Sequence, residues 1–583
     1  MTSRRQRQPL DRVAPLVMFG LTVVIVAMLI FGSQALPRVR NFSWQNQPVK
    51  ADDVAFLLTF TQPMEPDSVE QNLNIEPKLS GKFSWAGRRM AYTLDAPAPY
   101  GETFKLSLPT AEALSGPTGF EAFEGTFRSR DRAFVYIGVG GEETDRLVLF
   151  NLTKKEKTLL TAANQTVLDF QPYPGRDRIL YSAVDSAVTS DRLASAQLYT
   201  VTTGLDSTAQ SPAWQFWRKN TLPEAETEAG ITELILDNSE FQNLKFDLSA
   251  DGETIVVQRV SQENPSNFGP WVIRAGEDPR KLKTEPGGDF KIAPDSVSLL
   301  LQQGRGTAVI DLEPETTAAE SEALLLDFLP EYGLTLDIAT DGASAALVNF
   351  NQDDPEDRFT QSLYWVSNRG DEKLLLQTNG AILSAQFNDN NQILYCLVNR
   401  LLSSENTGED YDNEALIGRD RTEAVENFDE NNSQFQSENQ SLENDLEDSE
   451  TEIDLANNDE LAQGETEFFG EENAVGLLDE AYSFSPYLTA INIETGQTQK
   501  LIEMPPQPEI TVSLSPDGLA VLFDEALVDD AQNASLQAEY DGPTHRLWLL
   551  PLFSTLEERI NREPIALPPT ELDIAGRHPI WLP

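Results

Sequence analysis

Residues 512–524 read VSLSPDGLAVLFD. The stretch is a strand, a tight turn and a second strand. Asp517-Gly518 supplies the turn, because Gly accepts positive φ and Asp bonds its own backbone. Residues 519–523 are apolar and short, as a buried strand should be. The phrase recurs upstream in LKFDLSADGETIVVQRV with Asp251-Gly252, FKIAPDSVSLLLQQ with Pro294-Asp295, and LTLDIATDGASAALVNF with Asp341-Gly342. LSAQFNDNNQILYCLV carries Asn388 to Asn391, and VLDFQPYPGRDRILYSA carries Pro174-Gly175.

From Asp251 through Asp295 and Asp341 to Asn390 the spacing is 44, 46 and 49 residues. A strand-built period of this size marks the blade of a β-propeller. One such sheet cannot bury both faces alone, so copies must stack in a ring. Ser515, Pro516, Asp517 and Gly518 resemble the TolB-type propeller repeat, with degraded copies at 293–296 and 339–342. The resemblance implies a fold over residues 131–583 and no chemistry.

Blades are expected to begin near Val167, Phe241, Asp289, Gly333, Ala381 and Pro508. Residues 133–161 read as three strands of a further blade that lacks its first strand. The chain ends RHPIWLP, whose Pro579, Ile580 and Trp581 look like the opening of a blade. The C-terminus is therefore expected to supply that strand and close the ring, removing its free edge. This predicts seven blades, with six or eight as alternatives.

Residues 48–130 alternate in short strands with Pro and Gly punctuation, as in a β-sandwich. Phe60, Pro63, Met64, Ser68, Val69, Ile75, Pro77, Gly81, Trp85, Tyr92, Leu94, Gly101 and Phe104 carry a resemblance to the SbsA-type bacterial Ig-like domain. The family implies a spacer or adhesive module and no catalytic residues. Met64 and Trp85 are expected in its core.

Residues 13–31 are apolar and uncharged, and at 1.5 Å per residue they approach the bilayer core thickness of roughly 30 Å. Arg4, Arg5, Arg7 and Arg12 precede them and favour a cytoplasmic N-terminus. The expected order is a basic cytoplasmic tail at 1–12, an anchor at 13–36 in the cytoplasmic membrane, and a linker at 37–47. The bulk of the chain is then periplasmic or extracellular. The competing reading is a cleaved signal peptide ending near Ser33-Gln34-Ala35, which exports the same residues.

The formal net charge over the 583 residues is -51. That excludes nucleic acid as a partner and favours cations, basic proteins or a polymer with cationic groups. One cysteine, Cys396, lies within the apolar run ILYCLV, which points to a core residue, and the two histidines, His545 and His578, exclude a His-rich metal site.

Insertions are expected mostly between the second and third strands of each blade, at 185–195, 262–269, 351–361, 525–543 and 401–482; a further one is expected at 208–230. Residues 401–480 hold 26 Asp or Glu against 2 Arg, too polar to offset the entropy of ordering, so disorder is expected across the insertion 401–481. Phe468-Phe469 is a candidate docking spot within it. Asp353, Asp354, Glu356, Asp357, Asp524, Glu525, Asp529 and Asp530 are the candidate residues for a cation or basic partner. Such loops could take Ca²⁺ through oxygen ligands, although no EF-hand-type spacing is present; no other cofactor is expected.

Gly342 to Ala346 resembles a nucleophile elbow but enters a strand where an elbow enters a helix. Gly138 to Gly141 lacks the context of a nucleotide loop and reads as a hairpin turn. The reading is a membrane-anchored, non-catalytic envelope protein that binds an envelope protein or polysaccharide. The alternatives are an exported hydrolase or lyase with a metal at acidic loops, and a structural cell-surface spacer.

Overall fold

The structure, a computed structural model, describes residues 17–26, 36–115, 119–188, 192–205, 228–313, 320–322, 324–352, 355, 357–403, 482–507, 509–527 and 544–583. It is an all-β protein of small antiparallel sheets in a propeller-like arrangement. Residues 17–26 are helical, and no helix among the described residues is long and apolar enough to cross a membrane.

Two four-stranded sheets form first, and their strands interleave along the chain. Ala55–Phe60 and Arg89–Leu94 lie in one, Thr103–Leu108 and Phe123–Ser129 in the other. Alternate residues point inward, as the period of two requires. Phe56, Leu58 and Phe60 from one sheet meet Phe104, Leu106 and Phe127 from the other in a single core. Met64 is buried in it. Trp85 is only half-buried; it stacks on Phe60 at 6.0 Å and donates to Glu70 at 2.9 Å.

Six further sheets follow among the described residues; the seven-stranded one is built from both ends of this region, and its two parts are numbered here as sheets one and seven, with the others numbered two to six in chain order. The first strands of sheets two to seven are Gln165–Pro172, Phe241–Leu248, Phe290–Ile292, Leu334–Ile338, Ala381–Phe387 and Val512–Leu514. They start close to the positions read from the sequence. In each, a turn residue in the left-handed region joins the first strand to the second: Arg176, Gly252, Ser296, Gly342, Asn391 and Gly518, with φ between 54° and 75°. The degraded copies therefore keep the turn even without Gly. In sheet two the left-handed residue is Arg176, one place beyond the Gly of Pro174-Gly175.

Strand Thr570–Trp581 belongs to two sheets at once. Its first part pairs with Thr544–Pro551 of sheet seven, Arg546 opposite Ala575. Its last part pairs with Ala133–Gly138 of sheet one, Trp581 opposite Phe134. Their rings meet edge-on at 5.6 Å. At Gly576 a Cβ would overlap the Tyr136 ring, so only Gly lets the strand pass there.

Apolar clusters lie between successive sheets. Val167 and Ile179 of sheet two pack on Val135 and Leu149 of sheet one. Later clusters join sheets two and three, three and four, four and five, five and six, and six and seven. A further cluster joins Leu522 and Leu547 of sheet seven to Phe134, Tyr136 and Trp581 of sheet one. Each inner face is thus buried by the next sheet, which a single sheet cannot do for itself.

The two halves of the molecule touch near this last sheet. Asp517 accepts from Tyr100 N at 2.9 Å and from Arg132 Nη2 at 3.2 Å. Arg130 donates to Pro583 O at 3.0 Å, and Arg559 donates to Pro97 O.

Candidate functional site

The innermost strands carry a polar residue four places before each turn residue that aligns with Asp517: Gln171, Asp247, Lys291, Asp337, Gln386 and Ser513. Alternation turns each of these away from the apolar cluster, so it meets the neighbouring inner strand. Gln171 Oε1 accepts from Leu248 N at 3.0 Å, and its amide donates to Asp247 Oδ1 at 3.0 Å. Asp247 Oδ2 accepts from Ile292 N at 2.6 Å. Asp337 Oδ2 accepts from Phe387 N at 2.8 Å. Gln386 Oε1 accepts from Leu514 N at 2.8 Å, and Ser513 Oγ from Trp581 N at 3.1 Å.

One position departs from this pattern. Lys291 can only donate, and it does so to Leu336 O and to Asp337 Oδ1, both at 3.0 Å. From the last strand, His578 Nε2 stands 3.6 Å from Asp169 Oδ1 of sheet two, and the His578 ring meets Phe170 edge-on. The links thus pass from sheet two through sheet seven to the last strand and back to sheet two.

Burial raises the Asp247 carboxyl above its ordinary range, against the pull of Ile292 N–H, Lys291 and Gln171. Burial alone would lower the Lys291 ammonium; the Asp337 carboxylate more than offsets this, and the net shift is upward. Lys245, which is exposed, pairs with Asp289. Asp247 and Lys291 each face the neighbouring inner strand. Their lone pairs and protons are committed to the adjacent strand, which is the arrangement of a structural latch.

The acidic residues proposed from sequence fall differently. Asp353, Asp354, Glu356, Asp529 and Asp530 lie outside the described residues. Asp357 sits in a turn where its carbonyl accepts from Thr360 N at 2.8 Å. Asp524 is only 4% exposed, and its carboxylate accepts from Thr511 N at 2.6 Å and His578 N at 2.9 Å. Glu525 is half-buried, and burial and then Glu571 raise its carboxyl. Among the described residues no group of three or more His, Cys, Asp or Glu is placed to hold a metal ion.

The insertion 401–481 also lies almost wholly outside the described residues, with Phe468-Phe469. So do most of 208–230 and 528–543. Their ends are fixed. Ser403 pairs with Tyr482, and Leu527 with Thr544. The insertions at 401–481 and 528–543 therefore each leave and re-enter a single hairpin between second and third strands, whereas 208–230 falls between the third and fourth strands of sheet two.

Ser344, in the elbow-like phrase, opens strand Ser344–Asn349 and no helix follows it. Cys396 is fully buried and its thiol is pushed up by burial. A cavity of about 530 Å³ lies between sheets five and six, lined by Leu376, Gln377, Ile393, Asn492 and Arg562 among others. Gln377 donates to Thr360 Oγ1 and Arg562 to Gln392 Oε1.

No protein-family model and no curated protein matches the chain. Among solved structures it is similar to TolB from Acinetobacter baumannii, at 11% identity and a TM-score of 0.31, over 56% of this chain and 76% of that one. A putative 6-phosphogluconolactonase from Bacteroides fragilis is similar at 11% identity and a TM-score of 0.38, over 77% and 97% of the two chains. An oligogalacturonate lyase from Vibrio parahaemolyticus is similar at 9% identity and a TM-score of 0.33, over 68% and 87%.

Proposed function

We propose that this chain is a membrane-anchored, non-catalytic protein of the cell envelope. Residues 13–36 are the anchor, the Ig-like sandwich is a spacer, and sheets one to seven are the blades of a propeller closed by the last strand. The propeller is a platform for a protein or polymer partner, and its acid favours a basic one.

The observation that supports the non-catalytic reading is the inner-strand circuit. A catalytic acid or base needs a face open to substrate and a proton it can exchange. Gln171, Asp247, Lys291, Asp337, Gln386 and Ser513 instead hold the next strand. The tether is supported by the uncharged run at 13–31, part of which is helical.

The test is a C-terminal fusion to a phosphatase active only outside the cytoplasm, followed by membrane fractionation. The purified full chain is then assayed on sugar lactones, polyuronates and peptides. The expected result is active phosphatase in the membrane fraction and no turnover. Turnover of any of these substrates, abolished by a substitution at Asp247 or Lys291 that leaves the unfolding midpoint unchanged, would contradict the non-catalytic part. An inactive or soluble fusion would contradict the location.

A further inference from the structure

The outermost strands of the seven sheets are not alike. An edge strand offers free backbone N–H and C=O groups, and proteins guard such edges with charge or with cover. Glu156–Leu159 of sheet one carries Glu156 and Lys157; Glu372–Thr378 of sheet five carries Glu372 and Lys373; Thr498–Glu503 of sheet six carries Lys500 and Glu503. Sheet three has the basic strand Arg280–Lys283, and Glu320–Glu322 covers it. Sheet seven ends on the part of the last strand that holds Glu571 and Asp573.

Sheet two has the outer strand Thr232–Leu236, whose one charged residue is Glu233 and whose Leu234 is exposed; sheet four goes further. Its outer strand, Leu324–Leu329, reads LLLDFL and contains no Lys or Arg. It pairs on one side with Gly306–Asp311, and no described strand pairs with the other. Leu324, Leu325, Leu326 and Phe328 are 46%, 56%, 51% and 43% exposed. No other outer strand among the described residues presents as many large apolar side chains. The one charged residue, Asp327, turns back to accept from Phe328 N at 2.8 Å. A register shift between Val309 and Ile310 places a bulge beside it.

We propose that the free edge of Leu324–Leu329 is a docking site for an extended segment of a partner protein, which adds to sheet four as a further strand. The edge itself specifies an extended occupant, since unpaired backbone groups spaced along a strand are matched by another strand. Exposed leucines on both faces specify apolar side chains at alternate positions. Charge complementarity specifies basic ends: Asp327 and the exposed Glu331 stand at this edge, and the whole chain carries a formal charge of -51. The same charge opposes a second copy of this chain as the occupant. The inference deepens the platform reading by naming one contact surface and the chemistry of what it takes.

The probe is an eight-residue fluorescein-labelled peptide with valine and threonine alternating between terminal lysines. The control replaces alternate residues with proline, which cannot complete a ladder. Anisotropy is measured on the full chain in phosphatidylcholine nanodiscs, with wild type, with Leu325→Lys plus Phe328→Lys, and with Leu325→Glu plus Phe328→Glu. Saturable binding of the probe but not of the control, weakened at least tenfold in both variants, is the expected result. Equal binding to wild type and variants, or no binding, would overturn the proposal. Loss only with lysine would reduce the effect to charge and overturn it too. A concentration-dependent dimer of wild type without peptide, abolished by either variant, would assign the edge to a second copy instead. Should the variants fail to fold, hydrogen exchange on wild type decides: amides of residues 324–329 must gain protection with the probe. Failure here with an active membrane-bound fusion removes this surface and leaves the platform reading standing.

Discussion

The backbone N–H of Tyr100 donates to the Asp517 carboxylate at 2.9 Å. This bond joins the sandwich to the turn of sheet seven, next to the strand that links the last sheet to the first. In sheets three, four and five the Asp of the turn bonds its own neighbours: Asp251 with Ser249 and Glu253, Asp295 with Val297 and Ser298, Asp341 with Ala343. Asp517 does the same with Ser515 and Leu519. Its second oxygen takes Tyr100 N and Arg132. A local turn residue has thereby become the joint between two parts of the chain.

Asp517→Ala removes all of these acceptors and leaves Arg132 without its carboxylate. Breaking a buried charged pair costs about 3–5 kcal/mol, and Arg132 is part-exposed, so a loss of roughly 2–4 kcal/mol is expected. Urea denaturation checks this. Asp341→Ala, which has only the local bond, is the comparison and should cost about 1 kcal/mol.

Asp247 should shape the acid side of the stability curve. Its carboxyl is raised by burial, so the folded state holds a proton that the unfolded chain releases. Stability is then lost as pH rises from the unfolded value of about 3.9 through the raised folded value. Asp247→Asn cannot lose that proton, and its side-chain oxygen can still accept from Ile292 N. Relative to wild type, the variant should gain stability across that window as pH rises. Denaturant midpoints between pH 4 and 7 for both proteins measure it, and a constant difference would refute it.

Gly576→Ala places a Cβ against the Tyr136 ring where the last strand crosses from sheet seven to sheet one. Overpacking of this kind costs typically about 1–3 kcal/mol. The expected signature is faster hydrogen exchange at residues 577–581 along with the loss of stability.

Cys396 belongs with Ala346 and Leu394 to the core between sheets five and six. Only the thiolate reacts, and burial disfavours it. Ellman's reagent should label the native chain at a rate set by unfolding, and at once in denaturant. Rapid native labelling would show that this core opens.

Much of the fold was legible from one phrase. Asp-Gly turns and short apolar runs are local chemistry, so their spacing placed the inner strands closely. Pro579-Ile580-Trp581 looks like the opening of a blade, and its strand pairs with Ala133–Gly138, which lacked a first strand of its own in the sequence. The inner-strand circuit escaped notice because its members are Gln, Asp, Lys, Asp, Gln and Ser, with no common residue type. What they share is a position, four places before the aligned turn residue, and aligning the copies on the turn would have exposed it. Asp524 was misleading for a related reason. An acid beside an acidic loop reads as surface, whereas strand Ala520–Leu527 is buried on both faces from Ala520 to Asp524 and the amides of Thr511 and His578 satisfy the carboxylate there.

The account rests on the last strand sealing sheet seven to sheet one. Val135 and Ile580 are register partners across that seam. Val135→Cys combined with Ile580→Cys, oxidised in the folded full chain and mapped by mass spectrometry, tests it directly. The account predicts a single intrachain disulfide between the two positions, formed in nearly every molecule, with the unfolding midpoint held or raised. Free thiols at both positions in a folded protein, or disulfides only between chains, would contradict it.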